Sequence, residues 1–113
     1  MPLGRPLPEV KAELFRALAH PARIRVLEVL GDGPHSVGEL QPLVGIESSH
    51  LSQQLAVLRR AGLVTTEKQG STVTYAVADP ELTALLASAR RLLINRLSAT
   101  RGVLEGLLQE GDR

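Results

Sequence analysis

Apolar residues recur at intervals of three and four along most of this chain, and the breaks between those runs fall at glycine and proline. Val10, Leu14, Phe15 and Leu18 follow helical spacing and predict a first helix over Glu9 to Ala19. Ala19-His20-Pro21 interrupts it. Pro21 suits the first position of a second helix, where its missing N–H costs nothing, and Ile24, Val26, Leu27 and Leu30 give that helix an apolar face. Gly31-Asp32-Gly33-Pro34 then supplies turn residues. Ser36 with Glu39 three residues on is a capping-box pattern ahead of Leu40, Leu43 and Val44, so a short third helix is expected, stopped by Gly45. Past Ile46 and Glu47 a fourth helix runs to Ala61-Gly62. Its Leu51, Leu55 and Leu58 share one face, while Ser49, Ser52, Gln53, Ala56 and Arg60 fall on the opposite one.

The period then changes. Leu63 to Lys68 and Thr72 to Ala78 are rich in Thr and Val, and in the second run Val73, Tyr75 and Val77 alternate with Thr72, Thr74 and Ala76. Joined by Gln69-Gly70-Ser71, they predict a β-hairpin. Asp79-Pro80 opens a last helix as N-cap and first residue, and a leucine stripe from Leu82 to Leu108 carries it on, with Gly102 and Gly106 weakening its second half. The expected fold is mainly α with a small β-hairpin (α+β), in the order α-α-α-α-β-β-α. A short helix, a glycine turn and a second helix with one polar face make a helix-turn-helix, and a hairpin after it is a wing. Residues 1–8, with prolines at 2, 6 and 8, are expected to be a disordered arm, and 9–110 a winged-helix domain.

At 113 residues a monomer would leave much apolar surface wet, and the final stripe is too long for so small a domain to cover. It either shields the domain's own core or forms a dimer seam. We read a seam, with dimerisation helices at 9–19 and 80–109 contributing Val10, Leu14, Leu18, Leu82, Leu86, Leu93 and Leu97. With no cysteine, disulfides, thiolate catalysis and thiolate metal sites are excluded. No apolar run approaches the roughly 18 residues of a membrane span, and the N-terminus lacks the apolar core of a signal peptide, so a cytoplasmic protein without a membrane partner is expected.

A net charge of +1 gives no bulk argument for nucleic acid, but Ser48 to Ala78 carries Arg59, Arg60 and Lys68 against Glu67 alone. Small hydroxyls, an amide and cations on one helix face suit a DNA major groove. The candidate DNA contacts are Ser49, Ser52 and Gln53 at base edges, Ser48, His50 and Gln54 beside them, Arg59 and Arg60 on phosphates, and Lys68, Gln69, Ser71 and Thr72 from the wing. His20, before Pro21, is expected to cap or support structure, and His35 to be exposed. Ser49 and His50, adjacent on a helix, point about 100° apart and form no catalytic dyad, so an enzyme is not expected.

The segments LFRALAHPARIRVLEVL, SVGELQPLVGIESSHLSQQLAVLRRAGLV and GSTVTYAV together resemble the ArsR/SmtB family of winged-helix repressors over roughly residues 9 to 95. The resemblance implies a homodimeric repressor that binds double-stranded DNA at an inverted-repeat operator and lets go when an effector, commonly a metal ion, binds. Here the family's thiolate site, around Ser36 and Gly38, has no cysteine, and Leu92 and Asn95 stand where two ligands of its other site belong. Asp79 and Glu81 remain as a weak remnant that would hold a divalent metal poorly, so no metal site is assigned. A regulator controlled by a partner protein or a small molecule, and a winged helix serving only as a protein-interaction module, are the alternatives.

Overall fold

The structure is a computed structural model that describes residues 4–111. Helix α1 covers Leu7–Leu18 and α2 Pro21–Gly31. Strand β1 is His35–Ser36, followed by α3 at Val37–Val44 and α4 at Ser48–Arg60. Strands β2 (Val64–Gln69) and β3 (Thr72–Val77) make the hairpin, and α5 runs from Pro80 to Gly111. The disordered arm expected at 1–8 does not reach Pro8: Pro6 is the N-cap of α1, and Leu7 and Pro8 are already helical. A proline in the first turn removes only an N–H that had no helical partner. The arm's residues 1–3 lie outside the described residues.

The local signals act as expected at the helix ends. Ser36 Oγ accepts from the Glu39 N–H while Glu39 Oε1 accepts from the Ser36 N–H at 2.9 Å, closing the capping box. The Ser36 N–H bond favours the ionised acid most, the Ser36 hydroxyl beside it adds to this, and together they hold the Glu39 carboxyl below its ordinary value. Gly45 ends α3 at φ +79, a left-handed conformation that any side chain would strain. Asp79 Oδ1 accepts from the Glu81 N–H at 2.9 Å at the start of α5.

The sheet has three strands in the order β1-β3-β2, all antiparallel, one more than the sequence reading expected. A two-residue strand has no period to read. His35, expected to be merely exposed, lies in that strand opposite Tyr75 and is half-buried, its Nδ1 without a hydrogen-bond partner and 3.9 Å from Glu39 Oε1. The hairpin is also one residue tighter than expected, because Gln69 pairs with Thr72 and leaves Gly70 and Ser71 as the turn.

The chain divides into two compact units, one ending at Thr83 and the other beginning at Ala84, so the division falls inside α5. In the first unit Leu18, Val26, Leu27, Val29, Leu30, Leu40, Leu51, Leu55, Leu58, Val64 and Leu82 are buried as one aliphatic core. This corrects two of the expected seam residues. Leu18 and Leu82 are 6% and 7% exposed and already belong to that core, so they have no surface to give a second copy. Val10, Leu14 and Leu86 are half-buried, whereas Leu93 and Leu97 are exposed. In the second unit α5 continues through Gly102 and Gly106, and its side chains from Ala87 to Glu110 are exposed. No helix among the described residues is long and apolar enough to cross a membrane.

Candidate nucleic-acid interface

Helix α4 is held from behind. Leu51, Leu55 and Leu58 are fully buried, which fixes its opposite face toward solvent. The turn before it is pinned by Gln41, whose Nε2 donates to the Ile46 carbonyl at 3.0 Å. Arg25 donates to the Leu43 carbonyl at 3.2 Å and so ties α2 to the end of α3. The helix-turn-helix is therefore fixed by directional bonds as well as by leucine packing.

The outward face has the expected composition. Ser48, Ser49, Ser52, Gln53, Arg59 and Arg60 are all exposed. Ser49 donates its hydroxyl hydrogen to Glu47, so it would have to change partners to donate to a base edge. Arg59 and Arg60 lie in the last turn, where cations also complement the helix dipole. The ion pairs among the described residues, Arg5 with Glu13 and the looser His35 with Glu39, lie elsewhere and leave these two guanidinium groups uncommitted. On the wing Lys68, Gln69, Gly70, Ser71 and Thr72 are exposed at the tip of the hairpin.

Gln54 does not belong with them. It is 7% exposed, and its Oε1 accepts from Arg23 Nε at 2.8 Å. The physical reason is its helical phase: three residues after Leu51 and four before Leu58, it falls on the core side. His50 is half-buried, with its ring edge-on to His20 at a centroid distance of 5.9 Å, so it flanks the outward face. His20 caps α2 as expected, its Nδ1 accepting from the Ala22 N–H at 3.1 Å.

Tyr75 is a residue the sequence reading left out of the interface. It lines a shallow hollow with Ser52, Ala56, Arg59 and Arg60, between α4 and the wing strand β3. Two guanidinium groups, a hydroxyl and a phenol around one concavity suit a backbone phosphate. The alternation in β3 put Tyr75 on the same side as Val73 and Val77, but nothing local said that this side borders α4. Of the two carboxylates left from the family's metal site, Asp79 caps α5 and Glu81 supplies the N–H that it caps. Among the described residues no three His, Asp or Glu side chains gather as a metal-binding group within one chain.

Known proteins resemble this chain in sequence and in fold. A family model described as a helix-turn-helix domain matches residues 18–67. The chain is 52% identical over 109 residues to the uncharacterized HTH-type transcriptional regulator Rv0081 of Mycobacterium tuberculosis, covering 96% of each chain. The crystal structure of that protein superposes with a TM-score of 0.76 at 53% identity, covering 84% of this chain and 96% of that one. The transcriptional activator HlyU of Vibrio cholerae is 42% identical over 79 residues, 70% of this chain and 73% of its own. The homodimeric winged helix-turn-helix DNA-binding domain of Mb0332 from Mycobacterium bovis shares the fold, with a TM-score of 0.72 at 22% identity over 86% of this chain and 94% of that one.

Proposed function

The chain belongs to the helix-turn-helix transcriptional regulators, as a winged helix of the ArsR/SmtB type, and on that premise we propose that it reads an inverted-repeat operator as a homodimer and represses from it. It is a DNA-binding regulator and not an enzyme. The observation that carries the proposal is the two-sidedness of α4: three fully buried leucines behind, and Ser49, Ser52, Gln53 and Arg60 exposed in front. Ser and Gln reach base edges, Gln53 being able to pair both groups of an adenine, while Arg59, Arg60, Tyr75 and the wing tip from Lys68 to Thr72 hold phosphates. The second copy is held along α5. Leu93, Leu97, Leu104 and Leu107 stand 54% or more exposed, four, seven and three residues apart on one face of the helix, and burying them is what a partner helix offers. Phe15 and Leu7 of α1 are exposed as well, an apolar surface of the first unit by itself.

A dimer sets the spacing of its two reading helices at about one turn of DNA, roughly 34 Å. Occupancy can repress or activate according to where the operator lies, and repression is the mode the resemblance implies. As a DNA reader with bacterial relatives it acts in the cytoplasm. The test is selection of duplexes from a random pool by the purified protein. The expected product is an imperfect palindrome whose half-site centres lie about ten base pairs or a multiple apart, bound with a steep salt dependence. Failure to enrich any sequence, with no salt-sensitive binding, would leave the winged helix as a protein-interaction module.

A further inference from the structure

Arg23 is half-buried in α2 and reaches in two directions. Its Nε donates to Gln54 Oε1 of α4 at 2.8 Å, and its Nη1 donates to the Ala17 carbonyl in α1 at 3.2 Å. Gln54 is the buried polar side chain of the described residues, set among the leucines of α4 where a leucine would pack without any bond to satisfy. Four residues earlier and one turn up the same side, His50 meets the ring of His20 edge-on. That ring is itself oriented, because Nδ1 accepts from the Ala22 N–H and the ring proton of the neutral form therefore sits on Nε2. The turn from His20 to Arg23 thus touches α4 at two points, His50 and Gln54.

Apolar burial is non-directional, whereas a charge-assisted bond to a buried amide has a set direction and length. We propose that Arg23 is a positioning residue for DNA reading: through Gln54 it fixes the rotation of α4 about its own axis against the last turn of α1, with the His20–His50 contact as the second point. The inference rests on the reading role proposed for α4. The forked guanidinium is what the task needs, since its two donors serve two acceptors on different helices at once and a lysine ammonium has no such fixed fork.

The test compares Gln54→Met, Gln54→Glu and the double variant Arg23→Met/Gln54→Met. Binding is measured by fluorescence anisotropy on the duplex selected by the wild-type protein and on a random duplex, together with thermal melting. In Gln54→Met, affinity for the selected duplex should fall about tenfold while random-duplex affinity stays within about twofold, the scale expected for losing one bond to a charged group. The double variant removes both polar partners and should regain melting temperature without regaining discrimination. Gln54→Glu keeps an acceptor for the Arg23 Nε–H and should discriminate like the wild type. A double variant that discriminates normally, or a Gln54→Glu variant as impaired as Gln54→Met, would overturn the positioning role. If the wild-type protein prefers no duplex, the DNA-reading function itself falls. Amide hydrogen exchange without DNA then decides the contact alone: faster exchange from Leu51 to Leu55 in Gln54→Met supports it, and unchanged exchange refutes it.

Discussion

The leucines of α4 and those of the distal half of α5 each line one face of a helix and end in opposite surroundings. Leu51, Leu55 and Leu58 are fully buried, while Leu93, Leu97, Leu104 and Leu107 range from 54% to 72% exposed. α4 is 13 residues long and presents its stripe to a core built by the helices before it. α5 is 32 residues long, and its exposed leucines lie in the unit that begins at Ala84, which is helix alone. Periodicity reports that a helix has an apolar face; whether the same chain supplies the cover depends on how much chain is left to do so. A stripe covered at home fixes what the other face presents, and a stripe left uncovered is available to a second copy.

The comparison breaks first at Leu55. Leu55→Ala leaves a cavity in the closed core and should cost about 2–5 kcal/mol of stability, seen as a lower midpoint in urea denaturation, whereas Leu97→Ala should change the midpoint little beyond its effect on association. Equal losses at both positions would mean that the distal stripe is also covered within the chain. The seam is tested more sharply by the pair Leu97→Glu and Leu104→Glu, which places four carboxylates in a two-helix contact. Sedimentation should then give a folded monomer, with operator affinity reduced because each copy holds one half-site. A persistent dimer would move the interface elsewhere.

How far these two regions could be read in advance follows from the range of the signals. Ser36 with Glu39, Gly45, Gly62 and Asp79 act within a few residues, and each does at its position what its type suggests. Gln54 was misread because its partner, Arg23, is 31 residues away and no local feature announces it. Its helical phase did carry the information, since it lies between Leu51 and Leu58 on the core side. Leu18 and Leu82 have the same spacing as true seam candidates and differ only in being covered, a property of tertiary packing. β1 escaped notice because two residues cannot show a period, and with it went the correct setting of His35.

On the open face of α4 the expected effects are smaller and separable. Gln53→Ala should cost roughly 1–3 kcal/mol on the selected duplex and relax the preference at one base pair per half-site. Equal losses on selected and random duplex would remove Gln53 from base reading. Arg60→Ala should weaken all duplexes alike and reduce the salt slope by about one per copy, as expected for a lost phosphate contact. A change of sequence preference in Arg60→Ala would turn the assignment around and make the arginine a base reader.

The smallest effect concerns how the reading end is held rather than what it touches. Glu39 accepts from the Ser36 N–H in the capping box, and its carboxyl is held below the ordinary value, 4.5, chiefly by that backbone bond. A carboxyl depressed by folding adds stability that is fully present above its unfolded value and is lost as pH falls through the folded one. The contribution should therefore be whole at neutral pH and fade below the ordinary carboxylate range, as the cap of α3 protonates. Glu39→Gln keeps an acceptor oxygen but removes the charge, so the variant should melt slightly lower at neutral pH and converge with the wild type in acid. The comparison of regions adds a spatial demand. Early loosening should appear in hydrogen exchange at α3, which packs beside α4, and not along the distal part of α5. A difference between variant and wild type that stays constant across the acid range would show that Glu39 acts through something other than its charge.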